Sequence, residues 1–171
     1  SDALKTLLDN ERVKSTLEFK DVQQQWTALH FAAGANQVDC FRTLVEHGAN
    51  VRVLDKDRYS ILHLALCSKA LDIVDACIEL IRDDDDMRSI NESNVHEWTP
   101  IIYAINHQEC HQMAMKMLKE IPALDLTIGD DDGYTPLILS AKEGETELVE
   151  CILSHASGAK SINLRSLSGK S

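Results

Sequence analysis

The sequence predicts an all-α solenoid of stacked helix-turn-helix units with projecting turns, and three observations lead there. A short phrase returns four times, its hydroxyl residues are regularly spaced, and helical rather than alternating hydrophobic patterns follow each return. The phrase reads Trp26-Thr27-Ala28-Leu29-His30-Phe31-Ala32-Ala33, then Tyr59-Ser60-Ile61-Leu62-His63-Leu64-Ala65. It recurs as Trp98-Thr99-Pro100-Ile101-Ile102-Tyr103-Ala104 and as Gly133-Tyr134-Thr135-Pro136-Leu137-Ile138-Leu139-Ser140-Ala141. Thr27, Ser60, Thr99 and Thr135 are separated by 33, 39 and 36 residues, and a period between about 20 and 50 residues marks a stacked-repeat architecture. Such arrays present long surfaces in place of closed catalytic pockets.

Each unit is built by the same local logic. Thr27 and Ser60 are hydroxyl N-caps, and Thr99 and Thr135 are followed by proline at the first helical position, where no amide partner is lost. Apolar residues then recur at helical spacing: Leu29, Ala32 and Ala33, followed by Val38, Phe41, Leu44 and Val45. Residues 27–33 predict a first helix and residues 38–46 a second. Gly48 stands where a left-handed C-cap is expected. One helix pair cannot bury its own apolar face, so each must stack on a neighbour. Leu44 is expected in that buried interface, and no alternating run is long enough to favour a sheet.

These phrases resemble the ankyrin repeat, whose signature centres on Thr-Pro-Leu-His-x-Ala, and the likeness covers roughly residues 21–171. It implies a single repeat domain divided as a partial repeat 1–20, repeats 21–54, 55–93, 94–129 and 130–165, and the start of a further repeat at 166–171. It implies that His30 and His63 hydrogen-bond between neighbouring turns, and Ile102 departs from that histidine. Residues 3–10 read as a second helix without its first, and Gly169-Lys170-Ser171 as the opening of another phrase, so the expectation is a monomeric domain within a longer chain.

Composition is consistent with this class. The 171 residues are 44% hydrophobic and 5% aromatic, enough for a core of Leu, Ile, Val and Ala. No apolar run is long enough to cross a bilayer. Five cysteines, Cys40, Cys67, Cys77, Cys110 and Cys151, are scattered singly, which points to reduced thiols in a cytoplasmic or nuclear setting. Cys40 and Cys151 are expected to be buried. Met113, Met115 and Met117 are expected mainly to fill the core.

Candidate chemical sites are weak. His107, Cys110 and His111 have the i, i+3, i+4 spacing of metal ligands on one helix face, but no fourth ligand stands nearby. The run around Asp83–Asp86 lacks the glycine and terminal glutamate of a calcium loop and reads as a solvated insertion. Ser168-Gly169-Lys170-Ser171 matches only the end of a phosphate-binding loop, because Leu164 occupies the place of its first glycine. No nucleophile, base and orienting acid recur in a recognisable arrangement, so neither catalysis nor a cofactor is expected.

The surface carries the functional expectation. The residue before each cap is aromatic in every complete unit: Trp26, Tyr59, Trp98 and Tyr134. The resemblance places these rings on exposed turns used for partner contact, about one helix spacing of 8–10 Å apart. Asp55, Asp57, Glu97, Asp130, Asp131 and Asp132 lie beside them, and Gly34, Ala35, Cys67, Ser68, Asn106, His107, Lys142 and Glu143 fall on the inner-helix positions. With a net charge of −11, this face repels nucleic acid and anionic membrane and favours a basic, extended segment of a protein partner. The segment Ser89-Ile90-Asn91-Glu92-Ser93-Asn94 is similar to the inhibitor-of-NF-κB branch, which implies Rel-type transcription factors as partners. Competing expectations are a substrate-recruiting adaptor of a larger complex and a regulatory segment of a channel or enzyme.

Overall fold

The computed structural model describes residues 16–83 and 88–161. The chain divides into two compact units, residues 1–76 and 77–171. In the first, α1 (Ala28–Gly34) packs on α2 (Val38–Glu46) and on α3 (Ile61–Cys67), and α4 (Leu71–Asp83) carries the division between the units. The second unit contains a 3₁₀ turn at Arg88–Asn91, α5 (Pro100–Asn106), a 3₁₀ turn at Gln108–Cys110 and α6 (His111–Glu120). It continues through α7 (Pro136–Lys142), α8 (Thr146–Ser154) and α9 (Gly158–Ser161). Here α5 packs on α6 and α7, and α8 packs on α6, α7 and α9. Among the described residues no strand forms, and Leu54 meets Ser60 in an isolated bridge.

The caps set where the inner helices begin. Thr27, Ser60, Thr99 and Thr135 all have extended backbone and are buried, and each precedes a seven-residue helix. In the two units with histidine, the imidazole completes the cap. Thr27 N–H donates to His30 Nδ1 at 3.0 Å, and Ser60 N–H to His63 Nδ1 at 3.2 Å. These bonds lie within one turn, and for His30 the bond between turns that the resemblance implies is not found among the described residues. The Ser60 hydroxyl also accepts the third helical amide, from His63 N–H at 3.4 Å, and where no histidine stands the hydroxyl bond alone remains, from Ile102 N–H at 3.4 Å and Ile138 N–H at 3.5 Å.

The links between helices also follow a rule with one exception. Asn36, Lys69 and Gly144 adopt positive φ between the inner and outer helices. Between α5 and α6 no described residue takes positive φ, and the 3₁₀ turn Gln108–Cys110 makes the link. Gly48 ends α2 at φ 87°, the left-handed conformation expected of a C-cap glycine.

The core of the first unit includes Leu29, Ala33, Phe41, Leu62, Leu66, Ile73 and Val74, all buried. In the second, Ile101, Ile105, Met117, Ile121, Leu126 and Ile152 are buried. Met113 joins Met117 inside, and Met115 is half-buried. Two expectations need correction. Leu44 is only half-buried, because α2 turns Phe41 to the core and Leu44 toward its flank. Cys40 and Cys67 are exposed and Cys151 half-buried, while Cys77 and Cys110 are the buried thiols. Burial pushes the Cys77 thiol up to about 12.

Candidate protein-binding surface

The turns that carry the aromatic row are built on one recurring device. Asp55, Asn94 and Asp130 each offer Oδ1 to the amides two and four residues ahead. Asp57 and Tyr59 donate to Asp55 at 2.9 and 2.8 Å, and His96 and Trp98 donate to Asn94 at 2.9 and 3.1 Å. Asp132 and Tyr134 donate to Asp130 at 3.1 and 2.8 Å. Each turn closes through backbone bonds: Asp55 N–H to Tyr59 O, Asn94 N–H to Trp98 O and Asp130 N–H to Tyr134 O, at 3.0–3.1 Å. Arg58, Glu97 and Gly133, just before the rings, take positive φ. Asp21 does the same work in the first repeat with one residue more. Its carboxylate accepts from the amides of Gln23, Gln24 and Trp26, and Gln25 takes the positive φ. The Trp26 amide is the main influence holding the Asp21 carboxyl below its usual value.

Side chains that gather several amides set the direction in which the following ring leaves the turn. Trp26, Tyr59, Trp98 and Tyr134 are all half-buried, so each ring both packs and faces water. Trp26 stacks on His30 at 6.4 Å between ring centres and meets Phe31 edge-on at 5.1 Å. Its Nε1 donates to Asp55 Oδ2 at 3.1 Å, tying the first turn to the second. Tyr59 meets His63 edge-on at 5.4 Å. In the second unit Trp98 lies against His96, Tyr103 and His107 at 5.9–6.2 Å, and Tyr103 stacks on His107 at 4.1 Å. Lys142 Nζ sits 5.2 Å from the centre of the Tyr134 ring, a cation–π contact made within the repeat.

The acidic residues separate by role. Asp55 has both carboxylate oxygens engaged within the turns, so it is a scaffold group. Asp130 likewise holds its turn. Glu97, Asp131 and Asp132 are exposed and Asp57 is half-buried. Of the inner-helix positions, Asn106 and His107 are half-buried and Lys142 and Glu143 exposed. The structural part played by Asp21 and Asn94 was not singled out from the sequence. The signal was there, since Asp55, Asn94 and Asp130 share the spacing of the aromatic residues, but the mixture of Asp and Asn concealed it.

His107, Cys110 and His111 do not share a helix face. Helix α5 ends at Asn106, the 3₁₀ turn intervenes, and α6 begins at His111. His107 Nδ1 and His111 Nε2 each lie 2.8 Å from a carbonyl oxygen, of Tyr103 and Ile105 respectively, and His111 Nδ1 is 3.6 Å from Glu145 Oε1. Both imidazoles thus engage backbone carbonyls, and His111 also reaches Glu145 of the neighbouring repeat. Among the described residues no cluster of His, Cys, Asp and Glu has metal-binding geometry. Residues 84–87 and 162–171, which contain most of the aspartate run and the Ser168–Ser171 tail, lie outside the described residues.

Buried His30 is a further polar feature of the first unit. Because the Thr27 amide donates to Nδ1, the ring proton resides on Nε2, which is buried and meets no acceptor among the described residues. Burial lowers the His30 pKa to about 4, opposed by Asp55 and Asp21 and reinforced by Lys20.

The family model for ankyrin repeats (3 copies) matches residues 1–85 and 74–166. The chain belongs to the ankyrin-repeat family. Ankyrin repeats are generally non-catalytic protein–protein interaction modules. Relatives include the human transient receptor potential cation channel subfamily A member 1, 28% identical over 74% of this chain and 11% of that protein. The inhibitor of Bruton tyrosine kinase from Xenopus laevis is 38% identical over 34% of the chain and 4% of its own length. The probable 26S proteasome regulatory subunit p28 of Saccharomyces cerevisiae is 28% identical over 67% of the chain and 47% of its own length. The chain thus spans less than half the length of each. Among the described residues no helix is long and apolar enough to cross a membrane.

Proposed function

We propose that this ankyrin array is a non-catalytic scaffold that binds a basic, extended segment of a partner protein on its turn face. The observation that carries the reading is the repeated turn: a side-chain-locked loop that holds one half-exposed aromatic ring beside carboxylates. The rings that do the docking are Trp26 and Tyr59 in the first unit, and Trp98 and Tyr134 in the second, where Asn106, His107 and Glu143 stand alongside. Asp57, Glu97, Asp131 and Asp132 supply the charge. Aromatic side chains bury much area for little conformational entropy and are enriched among binding hot spots. Carboxylates around them raise the association rate of a basic partner and exclude phosphate polymers. Lys142 covers the Tyr134 ring, so cationic partner side chains favour Trp98 over Tyr134. Five singly scattered cysteines fit a cytoplasmic or nuclear location.

The test is a binding comparison using fluorescent Arg- and Lys-rich peptides and their acidic counterparts. Trp98→Ala and the triple variant Glu97→Gln/Asp131→Asn/Asp132→Asn should each weaken the basic peptides, and the triple variant, at exposed residues, should leave thermal unfolding nearly unchanged. The triple variant should also flatten the salt dependence. Equal binding of acidic and basic peptides, or no effect of either variant, refutes the proposal.

A second reading is a regulatory array inside a channel, an enzyme or an adaptor of a larger assembly. It is supported by the cation channel and the proteasome regulatory subunit among the relatives, and is compatible with the same binding face. The inhibitor-of-NF-κB-like reading rests on the likeness of residues 89–94 alone.

A further inference from the structure

The 130–165 repeat shows what an aromatic turn of this kind can hold. Lys142 Nζ stands 5.2 Å from the centre of the Tyr134 ring, reaching it from the last turn of α7. Lys142 lies seven residues after the cap Thr135, and the same step from Thr99 falls on neutral Asn106. The 94–129 repeat therefore supplies no cation from that position. Its surroundings are nonetheless acidic, since residues 77–171 hold 17 of the 28 acidic side chains and eight of the 17 basic ones.

The same repeat gathers more aromatic surface than the others. Four residues after the caps stand Phe31, Leu64, Tyr103 and Leu139, and eight after them Ala35, Ser68, His107 and Glu143. Only in the 94–129 repeat do both positions carry rings. Tyr103 and His107 stack at 4.1 Å and 18°, and Trp98 meets them at 6.2 and 6.0 Å with its plane inclined by 61° and 70°. All three rings are half-buried. His107 Nδ1 donates to the Tyr103 carbonyl at 2.8 Å, so in the neutral imidazole Nε2 is an acceptor. Exposed Glu97 immediately precedes Trp98 and adds a carboxylate.

We propose that Trp98, Tyr103 and His107 form a subsite for an arginine side chain of the partner segment, which plays the part that Lys142 plays in the 130–165 repeat. The inference rests on the basic-segment binding proposed above and names the side chain that is read. A guanidinium is planar, weakly hydrated and rich in donors, so it stacks on a flat ring while its edge serves acceptors such as His107 Nε2 and the Glu97 carboxylate. A lysine ammonium holds its water more strongly and gains less from the rings. Tyr103 and His107 lie face to face, which makes a slab rather than the enclosing box that suits a methylated ammonium.

The test compares fluorescent peptides of one sequence carrying arginine, lysine or trimethyllysine, with binding to the full chain read by anisotropy. The arginine peptide should bind about fivefold tighter than either of the others. Asn106→Lys places a cation where the 130–165 repeat has one and should abolish that preference. Gln108→Lys adds the same charge at an exposed residue beyond the rings and should weaken all three peptides alike. Tyr103→Leu installs the residue that stands there in the 55–93 and 130–165 repeats. It should abolish the preference as well, and it carries the test if circular dichroism shows Asn106→Lys to be unfolded. Equal binding of the arginine and lysine peptides, both weakened by Trp98→Ala, overturns the arginine subsite and leaves the basic-segment reading standing. A preference for trimethyllysine, or an arginine preference untouched by Asn106→Lys and Tyr103→Leu, overturns the subsite in the same way. Binding of none of the three peptides overturns both readings.

Discussion

Asp55 offers the sharpest test of how the turns are held. Its carboxylate gathers three donors: the Asp57 and Tyr59 amides on Oδ1 and Trp26 Nε1 on Oδ2. A typical internal hydrogen bond contributes about 0.5–1.5 kcal/mol net, and Asp55 is only half-buried, so Asp55→Ala should cost about 2 kcal/mol. For a chain of this size that lowers the melting temperature by roughly 4–8 °C. Asp55→Asn should cost less, about 1 kcal/mol at most, because the amide oxygen still serves the turn and only the Trp26 bond is lost. Asn94 already does this work in the 94–129 repeat. Thermal and urea unfolding followed by circular dichroism, with Trp26→Phe completing a double-mutant cycle, separates the two contributions. Once Trp26→Phe has removed the indole donor, Asp55→Asn should cost little more. Wild-type unfolding of Asp55→Ala would refute the idea that the carboxylate organises the turn, and strict additivity of Trp26→Phe and Asp55→Asn would refute the bond between turns.

Two further outcomes follow from burial. Phe41→Ala should cost about 3–5 kcal/mol, since that ring is fully enclosed, whereas Leu44→Ala should cost less than 2 kcal/mol, because half-exposed Leu44 leaves a cleft that water already enters; urea midpoints decide, and equal losses would contradict the burial pattern. His30 carries a pH dependence. Its folded pKa of about 4 lies below the ordinary value of 6.5, so its contribution is fully present above about pH 6.5 and is lost as pH falls toward 4. His30→Gln should therefore weaken the decline in stability between those values, and parallel pH profiles for the two proteins would count against a buried neutral imidazole.

Much of the architecture was legible in the sequence because local chemistry decides it. The cap hydroxyls, the prolines after Thr99 and Thr135 and the apolar spacing specified the starts of α1, α3, α5 and α7. The 38–46 helix is found with the predicted ends. These features act over a few residues, so a linear reading captures them. The aromatic row was legible for the same reason, being tied to the caps by adjacency.

Only the tertiary structure decided what those residues touch. Helical periodicity placed Phe41 and Leu44 on one stripe, yet packing of α1 against α2 and α3 encloses the first and leaves the second on the flank. Asp55 read as a surface charge, and the fold bends the chain so that its carboxylate meets the Trp26 indole from 29 residues away. Metal-like spacing at His107, Cys110 and His111 dissolved because the chain breaks from α to 3₁₀ geometry between them. Sequence alone determined the repeated unit and the caps that start its inner helices. Burial, hydrogen-bond partners and the division of carboxylates between scaffold and surface depend on contacts between residues far apart in the chain, which spacing along the sequence does not encode.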